Sequence, residues 1–159
     1  SLGITKAYTT RVGHGPFPSE LHDEIGANLA KWGGEIGATT GRNRRCGWLD
    51  TKILKTSVQL NSINGIALTK LDVLDNLEKI KICTNYSEID DISFKVDNIE
   101  YIELDGWKSS TKGATNLSDL PKNARKYIET IEEISDTPIV MISTGAARDE
   151  IICLKDIFT

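Results

Sequence analysis

Ala38-Thr39-Thr40-Gly41-Arg42-Asn43-Arg44-Arg45 brings small hydroxyl residues and a glycine straight into three arginines within four positions. An Arg guanidinium is a rigid fork of donors that pairs bidentately with carboxylate or phosphate. Thr hydroxyls and backbone N–H groups beside Gly41 can complete a cradle for the same anion. The chain carries a net charge of −4, so the segment is a local cationic island on an acidic protein. The same residues also read as a solvated basic loop. Signals elsewhere in the chain must separate the two.

Two strand ends supply such signals. Thr69-Lys70-Leu71-Asp72 follows the apolar run Ile66-Ala67-Leu68. A carboxylate there can accept two parallel hydrogen bonds, from the ring N–H and the exocyclic amine of guanine; adenine offers no such donor pair. The aliphatic stem of Lys70 can cover the face of the base. Charged residues also commonly follow a strand, so the triplet alone settles nothing. Ser143-Thr144-Gly145 follows a second apolar run, Ile139 to Ile142. In guanine-nucleotide proteins such a small-residue turn presents backbone N–H groups to the guanine O6. The order of the two motifs is that of guanine-specific P-loop proteins, yet the sequence holds no G-x-x-x-x-G-K-[ST] and no shorter Gly-rich phosphate loop before a helix. It can hold a base without the part that grips phosphates.

These motifs need elements to position them. Ile4 to Thr10 reads as a strand, and the chain begins on it as if cut from something larger. Arg11 to Pro18 is a turn-rich loop punctuated by Gly13, Gly15, Pro16 and Pro18, either a ligand approach or a simple connection. Ser19 is the expected N-cap of a helix to about Trp32, with Glu20, Asp23 and Glu24 at its positive end and Leu21, Ile25 and Leu29 facing the core. Gly33-Gly34 stops it. A second helix is expected from Thr51 to about Ser62, with Leu54 and Val58 on one face. A short strand from Ile66 finishes in the polar residues to Asp72, a single turn covers Leu74 to Leu77, and Lys79 to Thr84 is another strand. Asn85 to Glu103 alternates like a solvent-facing hairpin, and a long loop runs to Asp119. Pro121 opens a helix to about Ser135 whose buried stripe is Ala124, Tyr127, Ile128, Ile131 and Ile134. Further strands are expected at Ile139–Ile142 and at Glu150 to Leu154. Strands alternating with helices predict an α/β fold with a largely parallel sheet, whose ligands sit at the carboxyl ends of the strands.

With 159 residues, 39% hydrophobic and 26% charged, the chain suits one domain with a real core. A pI near 5.2 argues against a general nucleic-acid binder. No apolar run reaches membrane-spanning length, and no charged-then-apolar signal pattern opens the chain. Cys46, Cys83 and Cys153 are far apart, lack metal-ligand spacing and suit reduced thiols in the cytoplasm. With only His14 and His22 present, a histidine cluster is excluded.

Lys6 to Gly13 followed by Gly15-Pro16-Phe17-Pro18 resembles the adenylosuccinate synthetase family. So do Gly37 to Arg45, Gly47 to Asp50, Val58 to Ser62 and Thr69 to Asp75. The resemblance runs through nearly the whole chain, is weakest from about Asn85 to Glu100, and is to the C-terminal portion of that enzyme. It implies that residues 1–159 are the C-terminal part of a P-loop-type, largely parallel sheet flanked by helices, the phosphate-loop part lying upstream.

The family uses GTP and Mg2+ to join L-aspartate to IMP on the route to AMP. GTP phosphorylates the 6-oxygen of IMP, and the aspartate amine displaces that phosphate. Carried over by motif, Ala38, Thr39, Thr40, Gly41 and Arg42 match the loop that closes on aspartate, with Thr39, Thr40 and Arg42 on its carboxylates, and Asn43 belongs to the same aspartate and IMP site. Arg42 also reaches IMP, and Val12 lines the IMP ribose site. Arg44 is assigned to GTP, Lys70, Leu71 and Asp72 to guanine, and Ser143, Thr144 and Gly145 to the turn beside the base. No catalytic residue and no metal ligand is expected in this chain; the Mg2+ ligands are expected upstream. Ala146 replaces the family's usual proline, and Asn43 stands where relatives often have a basic residue or proline. His14 and Cys46 are given no role. The resemblance further implies a cytoplasmic homodimer for the whole enzyme and an inactive polypeptide for this portion alone. A free-standing guanine-nucleotide module and a self-associating structural piece stand as alternatives.

Overall fold

The chain runs through two short strands, β1 (Leu2–Lys6) and β2 (Thr9–Arg11), then helix α1 (Glu24–Trp32). Strands β3 (Arg45–Gly47) and β4 (Leu49–Asp50) lead into α2 (Thr51–Leu60), β5 (Gly65–Thr69), β6 (Lys79–Asn85) and β7 (Glu100–Asp105). Helix α3 (Lys122–Ser135) precedes β8 (Ile139–Ser143) and β9 (Ile151–Cys153). The computed structural model describes residues 1–39, 41–90 and 92–155.

The apolar runs expected as strands form the middle of a four-stranded sheet in the order β1-β5-β8-β9. β1, β5 and β8 are parallel and β9 is antiparallel to β8, so the sheet is largely parallel, as expected of an α/β chain. A second sheet joins β4 parallel to β6 and β6 antiparallel to β7. β2 and β3 form an antiparallel pair of their own. The stripe read on α3 holds: Ala124, Tyr127, Ile128 and Ile131 are buried and Ile134 packs at the margin. Leu54 and Val58 of α2 pack against the same core, which continues through Leu68, Ile82 and Ile142.

Several boundaries differ from expectation, each for a long-range reason. The strand read from Ile4 to Thr10 breaks at Ala7-Tyr8. The Ala7 carbonyl accepts the Tyr127 hydroxyl at 2.6 Å, and Tyr8 turns inward to be buried. Helix α1 is capped by Asp23, whose Oδ1 accepts the Gly26 N–H, and not by Ser19. Ser19 is buried instead, its hydroxyl donating to the Trp48 carbonyl at 2.7 Å, because the loop before α1 is stitched to the β3–β4 segment. The strand expected to reach Asp72 ends at Thr69, and the single turn expected at Leu74–Leu77 is a 3-10 turn at Leu71–Leu74. The expected hairpin finds its second arm in β7, but the arm opposite is β6, with Lys79 facing Asp105, so the alternation between Asn85 and Glu100 does not mark a strand. The alternating side chains there meet no sheet neighbour to bury them; Ile92 is 92% exposed.

Candidate functional site

Parallel pairing places three strand ends side by side. Lys6 ends β1 opposite Thr69 of β5, and Leu68 of β5 lies opposite Ile142 of β8. The segments leaving these strands therefore share one edge of the sheet, where α/β proteins bind ligands. Lys70-Leu71-Asp72 and Ser143-Thr144-Gly145, read separately along the chain, emerge from adjacent strands.

At Lys70 the backbone leaves the strand in the left-handed region, with φ +59°. For a residue with a side chain this costs roughly 1–3 kcal/mol and persists only where the surroundings hold it. Here they do: the Lys70 ammonium donates to the Gly33 carbonyl and sits 3.4 Å from Glu35 Oε1. Leu71 is fully buried. Asp72 is half-buried; burial pushes its carboxyl above the usual carboxylate range, nearby Asp75 pushes the same way, and Lys112 and Lys70 oppose both.

Ser143 donates its hydroxyl to the Gly145 carbonyl at 2.9 Å. Thr144 is buried and donates to the Ala114 carbonyl at 2.8 Å, so its side chain holds the long loop while the turn's outer surface belongs to Ser143 and Gly145. A Cβ at Gly145 would collide with the Glu150 carboxylate, which keeps that position to glycine unless Glu150 moves.

The arginine island is the tip of a narrow hairpin. The Arg44 N–H donates to the Glu35 carbonyl at 2.8 Å, Ile36 bridges Asn43, and the Gly37 N–H donates to the Arg42 carbonyl at 2.9 Å. Gly41 turns the tip at φ +62°, a conformation glycine adopts without a Cβ penalty. Ala38, Thr39, Gly41, Arg42 and Asn43 lie at this tip, mostly exposed; Thr40 lies outside the described residues. Val12, Arg42, Asn43 and Arg44 line one groove of about 590 Å³, together with Arg11 and His14. The three arginines differ in role. Arg45 grips Glu20 through Nε at 2.8 Å and through Nη2, and its Nη1 donates to the Gly13 and Gly15 carbonyls at 3.0 and 2.9 Å. It braces the glycine loop, and it lines the groove beside Arg11, Arg42 and Arg44.

The residue missed in the sequence is Glu35. It is completely buried, and its carboxylate accepts hydrogen bonds from Lys6 Nζ at 2.8 and 3.0 Å, the Tyr8 hydroxyl at 2.6 Å and Arg44 Nη1 at 2.9 Å. Burial works to raise its carboxyl, but the hydrogen bonds from Lys6, Tyr8 and Arg44 and the charge of Lys6 outweigh burial and hold it at about 2. One signal was available: Glu35 is the sole acidic residue between Lys31 and Arg45.

A pKa held below the unfolded value of 4.5 stabilises the fold above that pH, and the gain is lost as pH falls toward about 2. Unfolding free energies of wild type and Glu35→Gln should therefore converge, by about 2–3 kcal/mol between about pH 5 and about pH 2.5. A constant gap in urea melts across that window would contradict the assignment.

Among the described residues, no group of three or more His, Cys, Asp or Glu is arranged to hold a metal ion. No described helix is long and apolar enough to cross a membrane.

A family profile described as adenylosuccinate synthetase matches residues 1–152. An adenylosuccinate synthetase of Pseudomonas fluorescens is 54% identical over 99% of this chain and 38% of its own length. One from a Psychrobacter species is 55% identical over 98% and 38%. The structure of a fully ligated adenylosuccinate synthetase from Plasmodium falciparum superposes with a TM-score of 0.87 at 39% identity, over 97% of this chain and 39% of that one. The chain thus spans under two-fifths of the length of these relatives.

Proposed function

This chain belongs to the adenylosuccinate synthetase family, and on that premise we propose that it supplies the aspartate-facing hairpin and the guanine rim of an enzyme that ligates L-aspartate to IMP with GTP. The observation that carries the reading is the shared edge: Lys70-Leu71-Asp72 and Ser143-Thr144-Gly145 leave adjacent parallel strands, and Lys70 is tied through Glu35 to Arg44 of the cationic groove.

In this reading Arg42, with Thr39 and Thr40, binds the aspartate carboxylates and orients the amine toward the purine 6-position. Ala38, Gly41 and Asn43 shape the loop around them. Val12, on the same groove as Arg42, sits against the IMP ribose. Arg44 neutralises charge on GTP, Lys70 covers the base, Asp72 accepts its two N–H donors, and Ser143 and Gly145 border its O6. The residues align reactants and balance negative charge, which is what phosphoryl transfer followed by displacement requires. The phosphate grip, the Mg2+ ligands and the groups that move protons lie, on this proposal, in an N-terminal part of the enzyme. The relatives' greater length leaves room for such a part. So does the open edge of β1, where Leu2 and Ile4 are 43% and 76% exposed. A cytoplasmic homodimer for the whole enzyme completes the proposal, with the free thiols Cys46, Cys83 and Cys153 in keeping with a reducing compartment.

The polypeptide of residues 1–159 should form no adenylosuccinate from IMP, aspartate and GTP, whereas the full-length protein that carries it should. Turnover by the isolated polypeptide would overturn the division of labour. Tight GTP binding by residues 1–159 in calorimetry, without turnover, would favour a free-standing guanine-nucleotide module.

A further inference from the structure

Four side chains from three separated segments meet on one buried carboxylate. Lys6 reaches Glu35 from the end of β1, Tyr8 from the break after it, Arg44 from the outer arm of the hairpin and Lys70 from the turn after β5. Both carboxylate oxygens are engaged: Oε1 by Lys6, Tyr8 and Lys70, and Oε2 by Lys6 and Arg44. Glu35 has no exposure of its own, while Lys6, Arg44 and Lys70 each keep part of their surface in solvent. A buried anion that touches no solvent cannot touch a ligand in the groove. Its effect must pass through the cations it holds.

We infer that Glu35 is a positioning residue for nucleotide recognition, setting Lys70 of the guanine rim and Arg44 of the hairpin in one fixed relation. The inference rests on the proposed reading that these two cations face GTP. Two constraints give it physical content. Lys70 sits in a left-handed conformation that its bonds to Gly33 and Glu35 maintain. Arg44 has one guanidinium nitrogen turned inward onto Oε2, and its Nε is buried with no partner among the described residues, so the orientation of the fork is decided by Glu35. Without the negative charge, three cations would repel one another, and both Lys70 and Arg44 would swing away from the edge.

The test is steady-state kinetics of the full-length protein with Glu35→Gln, which keeps shape and removes charge. The KM for GTP should rise about tenfold while kcat changes less than about threefold. A purely structural role would lower the active fraction, hence kcat, and leave KM unchanged; that result overturns the inference. In a Lys70→Met background the Glu35→Gln effect on KM should shrink by about threefold or more, since the path through Lys70 is already gone. Strictly multiplicative effects would also overturn it. Should Glu35→Gln fail to fold, Tyr8→Phe removes one bond to Oε1 and should raise the KM for GTP by about threefold; no rise overturns the inference. Asp72→Asn run in parallel distinguishes the two layers. If it leaves GTP unaffected, the guanine reading itself has failed; if it weakens GTP while Glu35→Gln does not, only the positioning role has.

Discussion

Asp72→Asn in the full-length protein is expected to raise the KM for GTP by about a hundredfold or more, and to make xanthosine triphosphate the better nucleotide. Guanine presents two donors to the rim, its ring N–H and its 2-amino group. On the proposed reading the Asp72 carboxylate accepts both, and hydrogen bonds to a charged group contribute roughly 1.5–3 kcal/mol each. An Asn side chain keeps one acceptor and turns an amide N–H toward the 2-amino group, donor against donor. Losing both bonds in full removes about 3–6 kcal/mol, a factor of about a hundred to about twenty thousand. Xanthine carries a carbonyl at the 2-position, which the new amide can serve. The fold should tolerate the change, because no other side chain among the described residues hydrogen-bonds the Asp72 carboxylate, and Asp72 is only half-buried. Comparing KM for GTP and for xanthosine triphosphate in wild type and variant reads the effect directly. Equal use of GTP by both proteins would remove Asp72 from the base site.

Asp75→Ala should cause the largest loss of stability, about 3–5 kcal/mol. Asp75 lies one helical turn beyond Asp72 and is buried, with Oδ1 accepting from Trp107 Nε1 at 2.7 Å and from the Thr111 hydroxyl at 2.8 Å, and Oδ2 accepting from the Thr111 N–H at 2.8 Å. Removing the carboxylate leaves three buried donors without an acceptor and frees the long loop that follows β7. The disturbance reaches further along two routes. Trp107 packs at 6.0 Å on Tyr127, whose hydroxyl holds Ala7 at the strand break. Ala114, on the same loop, accepts from Thr144 in the turn after β8. The urea midpoint of residues 1–159 should fall by about 2 M, given a slope near 2 kcal/mol per M for a chain of this size. Asp75→Asn should lie between, since it retains one acceptor but turns an N–H toward the Thr111 amide. A wild-type midpoint in both variants would show that the loop is held some other way.

These two carboxylates differ in how visible they were. The motif containing Asp72 could be read because a strand-ending carboxylate has a specific use for a purine with two adjacent donors. Asp75 was carried along in the same stretch with nothing to mark it, since its partners lie more than thirty residues downstream. Glu35 was missed for the same reason on a larger scale.

Local rules decided what local rules govern. Spacing along α3 identified its buried face, apolar runs identified β5 and β8, and the residue types at their ends named the chemistry each could perform. The arginine island, too, was plain from composition against an acidic background. Tertiary structure alone decided which cation does what. Arg45 turned out to brace the glycine loop because Glu20 and two carbonyls happen to face it, whereas Arg44 was drawn onto a carboxylate shared with Lys6, Tyr8 and Lys70. It also decided that Ser19 is buried against Trp48 while Asp23 caps the helix. The physical reason is range. Periodicity and capping depend on neighbours a few residues away, but a buried charge persists only where partners from distant segments arrive together, and that convergence is a property of the register between parallel strands, which no short window of sequence contains.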